Sequence, residues 1–470
     1  MPLSTTNISV DFSAPVGTIK ELHGVNLGPV SWNGYRDVSE HFRALRFPYV
    51  RLHDCPFAVA DTVDIHNIFP FFDADPLDPR NYRFAITDDY IQSTLDTGAR
   101  IVYRLGESIE HHSRRKYYVH PPRDFQKWAD ICVQIIRHYN EGWADGFRHG
   151  IRYWEVWNEP WLKPLCWTGT HEEYYRLYEI TAKTIKKPYP GLAVGGPSAK
   201  ATIEAFAEGF LTHCQRTNTP LDFFSWHMYA RDPQEITESA GAARRCLDAH
   251  GFTTTELHLN EWNYTHNYSK PVGVFDRFGT EKKARCARSI FTAMGDMTGA
   301  AFAANTLILL QDCPVEMANY YWAKDGLYGL FNEWGECLKK YHAFLAFRRL
   351  LDAPVRVNVT ANDPTAGYAA LGGRSKTDDG CAVLLSNFRS RSTDFEIHLK
   401  GWPWQTPTTY TVFLLDHEFN LESSLTATVT GEQTTLRLHA PSPTIYLIQF
   451  QPAALGSKPN EGDKGINVLP

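Results

Sequence analysis

Residues 153–161 read YWEVWNEPW, and residues 257–263 read LHLNEWN. Each is a short apolar run closing on an Asn-Glu pair, Asn158-Glu159 and Asn260-Glu261. Runs of this kind read as buried strands of a parallel sheet. Taken as Arg152–Asn158 and Glu256–Trp262, they sit among six similar runs: Leu22–Gly28, Tyr49–Asp54, Arg100–Gly106, Leu192–Pro197, Asp222–Tyr229 and Glu316–Trp322. Helical patterns lie between them, among them Phe125–Tyr139, Glu172–Lys187 and Glu281–Met297, and Leu338–Leu351 follows the eighth run. Eight strand–helix repeats over residues 16–351 predict an α/β fold, a closed (β/α)8 TIM barrel. An open doubly wound sheet would rarely need so many.

The pattern changes after Pro354. Between residues 352 and 452, alternating runs such as Ala382–Asn387, Phe395–Leu399, Tyr410–Leu415 and Thr444–Phe450 are split by turn residues, with no helical stretch. This reads as a small accessory antiparallel β-sandwich. The alternating run Asn7–Phe12 precedes the first barrel strand, so residues 1–15 are expected to complete the sandwich. Residues 453–470 are polar and rich in Gly and Pro, and are expected to be mobile.

Composition narrows the function classes. A net charge of -6 over 470 residues leaves no basic footprint for nucleic acid. The longest apolar stretch, around Gly299–Leu310, falls short of the ~20 residues of a membrane span. The N-terminus has neither the basic nor the apolar region of a signal peptide, so a cytoplasmic location is expected. The nine cysteines include no CxxC, and no ligand spacing implies a metal; no cofactor is expected. Gly372–Thr377 (GGRSKT) lacks the glycine before lysine that a phosphate loop needs. Oligomeric state is left open. What stands out is an aromatic content of 13%, with 13 Trp.

In a barrel, chemistry sits at the C-terminal ends of the strands. Glu159 and Glu261 end strands four and seven, each beside tryptophans. Two carboxylates flanking aromatic surface are what glycoside hydrolysis requires: one protonates the leaving oxygen, and the other attacks or activates water. Aromatic faces supply stacking for sugar rings. An eight-strand barrel of roughly 7 Å radius places strands three apart about 13–14 Å across the mouth. Glutamates reaching inward ~4 Å each then leave a gap of about 5–6 Å, near the ~5–5.5 Å of retaining enzymes.

Trp157-Asn158-Glu159-Pro160, with a second glutamate ending strand seven, resembles clan A of the retaining (β/α)8 glycosidases. The strings YWEVWNEPW (153–161), LHLNEWN (257–263) and LLQDCPVEMANYYW (309–322), with the sandwich behind the barrel, resemble glycoside hydrolase family 39, the β-xylosidase and α-L-iduronidase family. The resemblance implies that Glu159 is the general acid/base, that Glu261 is the nucleophile, and that Asn158 bonds the sugar 2-OH. Tyr229 and His227 share a face of strand six, so Tyr229 would hold Glu261 while His227 approaches Glu159 or the sugar. On strand two, Arg51 would pair with Glu155 or Glu261, and His53 would bond a sugar hydroxyl. Glu155 reads as a structural carboxylate, and Glu107 as a weak candidate for a hydroxyl contact. Trp322 would form the floor of the first sugar site. Trp161, Trp167, Trp32 and Trp262 would line the entrance.

The expected activity is retaining exo-hydrolysis of a terminal β-xyloside or related pentoside or hexoside, with an oligosaccharide or glycoside as substrate. An endo-acting glycanase and a non-catalytic carbohydrate-binding barrel are the alternatives. The resemblance also implies, for xylosidases, a longer acidic segment after the eighth strand. Here Ala323–Gly326 (AKDG) is short and mixed in charge, which leaves room for an arabinoside or another sugar.

Overall fold

The computed structural model describes residues 5–31, 36–111, 115–200, 205–265, 292–324, 326, 328–361, 367–405, 407–453 and 466–468. Trp32 and most of the helix expected over Glu281–Met297 lie outside them. Within that expected helix, residues 292–295 are helical, the chain breaks at Asp296, and Met297 opens a new helix running to Leu309.

Eight parallel strands close into a barrel in sequence order: Gly24–Asn26, Tyr49–Leu52, Arg100–Leu105, Tyr153–Val156, Ala193–Ala199, Phe223–Ala230, Glu256–Tyr264 and Met317–Tyr320. Side chains alternate between the helical jacket and the barrel interior, as the two-residue period of a strand demands. On strand two, Val50 and Leu52 join the jacket core. The interior is layered. Its base is an apolar plug of Val102, Tyr153, Ala193, Phe223 and Met317, with Tyr49 against it. Above the plug lies a polar layer with Arg51, Arg104, Glu155, Ser225 and Asn260, all buried. Above that layer opens the mouth.

The second sheet has ten strands. In order they are Asn420–Val429, Thr408–Leu415, Thr444–Pro452, Cys381–Asn387, Tyr368–Arg374, Val355–Ala361, Thr6–Thr18, Asp394–Lys400, Gln433–His439 and Ile466–Val468. Thr6–Thr18 pairs antiparallel with Val355–Ala361 and parallel with Asp394–Lys400. The sheet is therefore mixed at two pairings rather than purely antiparallel. Strands from opposite flanks share one core (Ile8, Val10, Phe12, Phe395, Ile397, Leu436, Tyr446, Ile448), so the sheet curls round it to form the accessory β domain. Within the expected tail, Ile466–Val468 adds an edge strand beside Gln433–His439.

Strand Cys381–Asn387 is buried on both faces. Val383 and Leu385 face the curled core, while Ala382 and Leu384 pack with the barrel's jacket. Ser386 accepts from Asn305 through its carbonyl, at 3.1 Å, and donates to Ala301 O, at 3.0 Å. This explains why the helix Met297–Leu309 is apolar on all sides: it lies between barrel and accessory sheet.

Candidate active site

The barrel mouth is organised around Arg51, which strand two points inward with no exposure. Its Nε donates to Glu155 Oε2 (2.6 Å), Nη1 to Glu261 Oε1 (2.8 Å) and to Asn26 Oδ1 (3.1 Å), and Nη2 to Asn158 Oδ1 (2.7 Å). A planar guanidinium can bind several acceptors at fixed angles, which a lysine could not. One side chain thereby fixes two of the residues expected at the site, Glu261 and Asn158, together with the structural carboxylate Glu155. Glu155 also accepts from Ser198, Ser225 and Asn260. Arg51 and the Ser225 hydroxyl hold its carboxyl below the usual range against the opposing pull of burial.

Glu261 reaches the mouth through an irregularity. His258 and Asn260 face inward, so strict alternation would turn Glu261 outward. The register to strand six slips between Leu259 and Glu261, and that bulge brings both Asn260 and Glu261 inside. Tyr229 donates to Glu261 Oε2 at 2.7 Å, as expected. Burial raises the Glu261 carboxyl, and His227, Arg51 and the Tyr229 hydroxyl oppose that rise.

Glu159 lies just beyond strand four, on a turn where Trp157 (φ 71°) and Glu159 (φ 43°) take the left-handed conformation. The turn packs against Gly106 (φ 140°), where an added Cβ would come within 3.0 Å of the Trp157 ring. The Trp157 indole donates to Cys166 O at 2.8 Å, which ties the turn to the following loop. Glu159 Oε1 lies 2.8 Å from His227 Nδ1, as expected, and Cys166 Sγ lies 3.9 Å from Oε2. Among the described residues, Glu159 has no close cation. Burial, helped by Asp54, pushes its carboxyl up to about 8, with Arg51 pulling the other way.

His227 Nδ1 is also 3.3 Å from Glu261 Oε2. With 2.8 Å to Glu159 Oε1, the two oxygens are separated by no more than the sum, about 6.1 Å, below the ~6.5–9.5 Å of inverting pairs. Burial lowers His227 to about 4, so its ring is neutral near pH 7, and Arg51 is the cation that acts on Glu261 there. His53 is likewise held well below its usual range by burial and by Arg51. Its Nε2 lies 3.7 Å from Glu261 Oε1, while its Nδ1 and the His227 Nε2 are buried with no partner among the described residues.

The tryptophans divide differently from the expectation. Trp154, Trp157, Trp167 and Trp262 are fully buried. Trp167 and Trp262 therefore pack the jacket instead of lining the entrance. Trp161 and Trp322 are half-buried. Trp161 donates to Ser198 O at 2.9 Å, and Trp322 packs against Tyr321 and Tyr328. Glu107 does not stand open to a sugar hydroxyl: its Oε2 lies 2.5 Å from His66 Nδ1. Asp64, His66 and Glu107 place potential ligand atoms within 4.8 Å of one another. Arg104 and Ser108 already occupy Asp64, and the guanidinium opposes a divalent ion.

Two residues at the mouth escaped the sequence reading. Asp54 accepts from the Tyr321 hydroxyl at 2.7 Å and lies 3.3 Å from His53 Nε2. Asp54 takes a left-handed φ of 51°, which aspartate tolerates better than most residues. Its position directly after His53 was the available signal.

Fold and site together define a (β/α)8 barrel carrying a close pair of mouth carboxylates in unequal environments, with an accessory β domain. The family model for glycosyl hydrolases family 39 matches residues 43–355, and the chain belongs to that family. A β-xylosidase from Caldicellulosiruptor saccharolyticus is 27% identical over 309 residues, covering 60% of this chain and 56% of its own. Another from Geobacillus stearothermophilus is 28% identical over 221 residues, covering 41% and 43%. The matches thus span about half the length of these curated relatives. The crystal structure of a glucosidase from Croceicoccus marinus superposes with a TM-score of 0.80 at 26% identity, covering 96% of this chain and all of the other.

Proposed function

We propose that the protein is a retaining exo-glycosidase that removes terminal β-linked xylosyl or related pentosyl or hexosyl units through a covalent glycosyl-enzyme. The observation that carries this reading is the single His227 nitrogen in contact with both carboxylates, which keeps two of their oxygens within about 6.1 Å, under the spacing of an inverting pair and compatible with that of a nucleophilic one. The electrostatics support the division of labour. Glu159, raised to about 8, holds a proton at neutral pH and gives it to the leaving oxygen. Glu261, with Arg51 and Tyr229 donating to it, attacks the anomeric carbon. Glu159 then takes a proton from the water that releases the sugar. Arg51 occupies Asn158 Oδ1, so the Asn158 amide NH2 is the group left to bond a sugar 2-OH, a contact that strengthens in the transition state. The names of the relatives, two β-xylosidases and a glucosidase, favour xylose or glucose as the glycone.

The test is covalent trapping. Incubation with 2,4-dinitrophenyl 2-deoxy-2-fluoro-β-D-xylopyranoside, and separately with the glucosyl analogue, is expected to add one fluorosugar to the peptide containing Glu261. Glycoside turnover with no adduct, or with an adduct on another residue, would overturn the assignment.

A further inference from the structure

Tyr118 is half exposed, and its ring lies flat on the His66 imidazole, with centroids 3.6 Å apart and planes 7° apart. His66 is itself fixed: Glu107 Oε1 accepts from its backbone N–H (3.3 Å), and Glu107 Oε2 holds Nδ1. One face of the tyrosine is therefore backed by a rigid imidazole, and the exposure belongs to the remainder of the ring. Neither residue takes part in the chemistry above, and a tyrosine presented in this way has no evident use in packing.

Its position gives it one. The helix Ile65–Ile68, which carries His66, donates from Ile65 N to Gly106 O at 3.2 Å, and Gly106 packs on Trp157, two residues before Glu159. On the other side, Glu110 accepts from the backbone of Tyr117 and Tyr118, and its own N–H donates to Leu165 O at 3.0 Å. Thr168 N donates to Val119 O at 3.0 Å. Between Leu165 and Thr168 lies Cys166, whose sulfur is 3.9 Å from Glu159. The tyrosine is thus pinned on both sides to the segments that hold the acid/base. An acid that protonates the leaving oxygen stands on the leaving-group side of the scissile bond.

We propose that Tyr118, backed by His66 and Glu107, is the stacking platform for the leaving group, and that the substrates are glycosides whose leaving group presents a flat apolar face, a pyranose or an aryl ring. The inference rests on the glycosidase reading above. Stacking acts on the leaving group alone, so a substrate without a ring there is blind to it.

The experiment compares kcat/KM for 4-nitrophenyl β-D-xylopyranoside with that for β-D-xylopyranosyl fluoride, the glucosyl pair being run alongside, in the native protein, Tyr118→Ala and Tyr118→Phe. In Tyr118→Ala the ratio of aryl glycoside to fluoride is expected to fall about fivefold to tenfold, mainly through KM. Tyr118→Phe, which keeps the ring, restores it. An unchanged ratio in Tyr118→Ala overturns the platform, and so does an equal loss on both substrates, which would mean the tyrosine acts through the fold. Absence of turnover of both fluorides by the native protein would overturn xylose and glucose as the glycone, and with them the reading on which the platform rests.

Discussion

Glu155 and Glu159 are four residues apart on one stretch of chain, and both are withdrawn from bulk water. Their environments are opposite. Glu155, in the layer below the mouth, accepts from Arg51, Ser198, Ser225 and Asn260, and is held low. Glu159, at the mouth, meets a neutral imidazole and a weakly donating thiol, and is pushed up to about 8. Burial raises both alike, and donors decide the outcome. The barrel saturates one carboxylate to make a charged foundation and starves the other to make an acid. Glu261 stands between them, buried but held by Arg51 and Tyr229.

Breaking the foundation should produce the largest loss. Arg51→Met keeps the volume but leaves Glu155 and Glu261 buried without their cation and Asn158 Oδ1 without its donor. We expect a loss of about 3–5 kcal/mol in denaturant unfolding. Adding Glu155→Gln to this variant removes one stranded charge, and should recover part of the loss. A single-variant effect below about 1 kcal/mol would mean that the polar layer does not depend on Arg51.

The same contrast explains what could be read without a structure. The strand ends were legible because parallel strands are apolar runs and the mouth residues interrupt them. Thus Glu159, Glu261, His227 and Tyr229 could be placed, and the Tyr229–Glu261 and His227–Glu159 contacts follow from strand neighbourhood. The bulge before Glu261 was not legible, because alternation alone turns that side chain outward. The tryptophans misled for a related reason. Composition cannot separate a ring that stacks on sugar from one that wedges a turn, and Trp157 and Trp167 do the latter, in edge contact 4.9 Å apart. In the accessory domain, alternation identifies strands but not how a sheet closes, so the curling of ten strands into one hydrogen-bonded sheet was not legible. Glu107 was visible as a residue after a strand, while its partner His66 comes from a different loop, which no local pattern reports.

The second way to sharpen the contrast is through stability. Glu159 has a folded-state value of about 8, well above the ~4.3 of an unfolded glutamate. A group raised on folding gives its full support below the unfolded value, and loses it as pH climbs to the folded one. Glu159→Gln removes that titration. The variant should match the native protein near pH 4 and exceed it by on the order of 5 kcal/mol at pH 8. Parallel pH dependence of the two melting temperatures would refute the raised carboxyl.

The smallest expected effect tests the source of that elevation. Asp54 is the residue besides burial that pushes Glu159 up, and its own carboxylate is held by Tyr321 and faces His53. Asp54→Asn removes the negative charge while keeping an acceptor for the Tyr321 hydroxyl. Glu159 then loses its proton more readily, so the alkaline limb of the kcat/KM profile, set by the protonated acid, should move towards lower pH by less than about one unit. Asp54→Ala removes charge and acceptor together. If charge is the cause, both variants shift the limb by the same amount, although only the alanine frees Tyr321. If the limb moves in the alanine variant alone, the elevation comes from how Tyr321 shapes the pocket, and burial by itself accounts for the starved carboxyl.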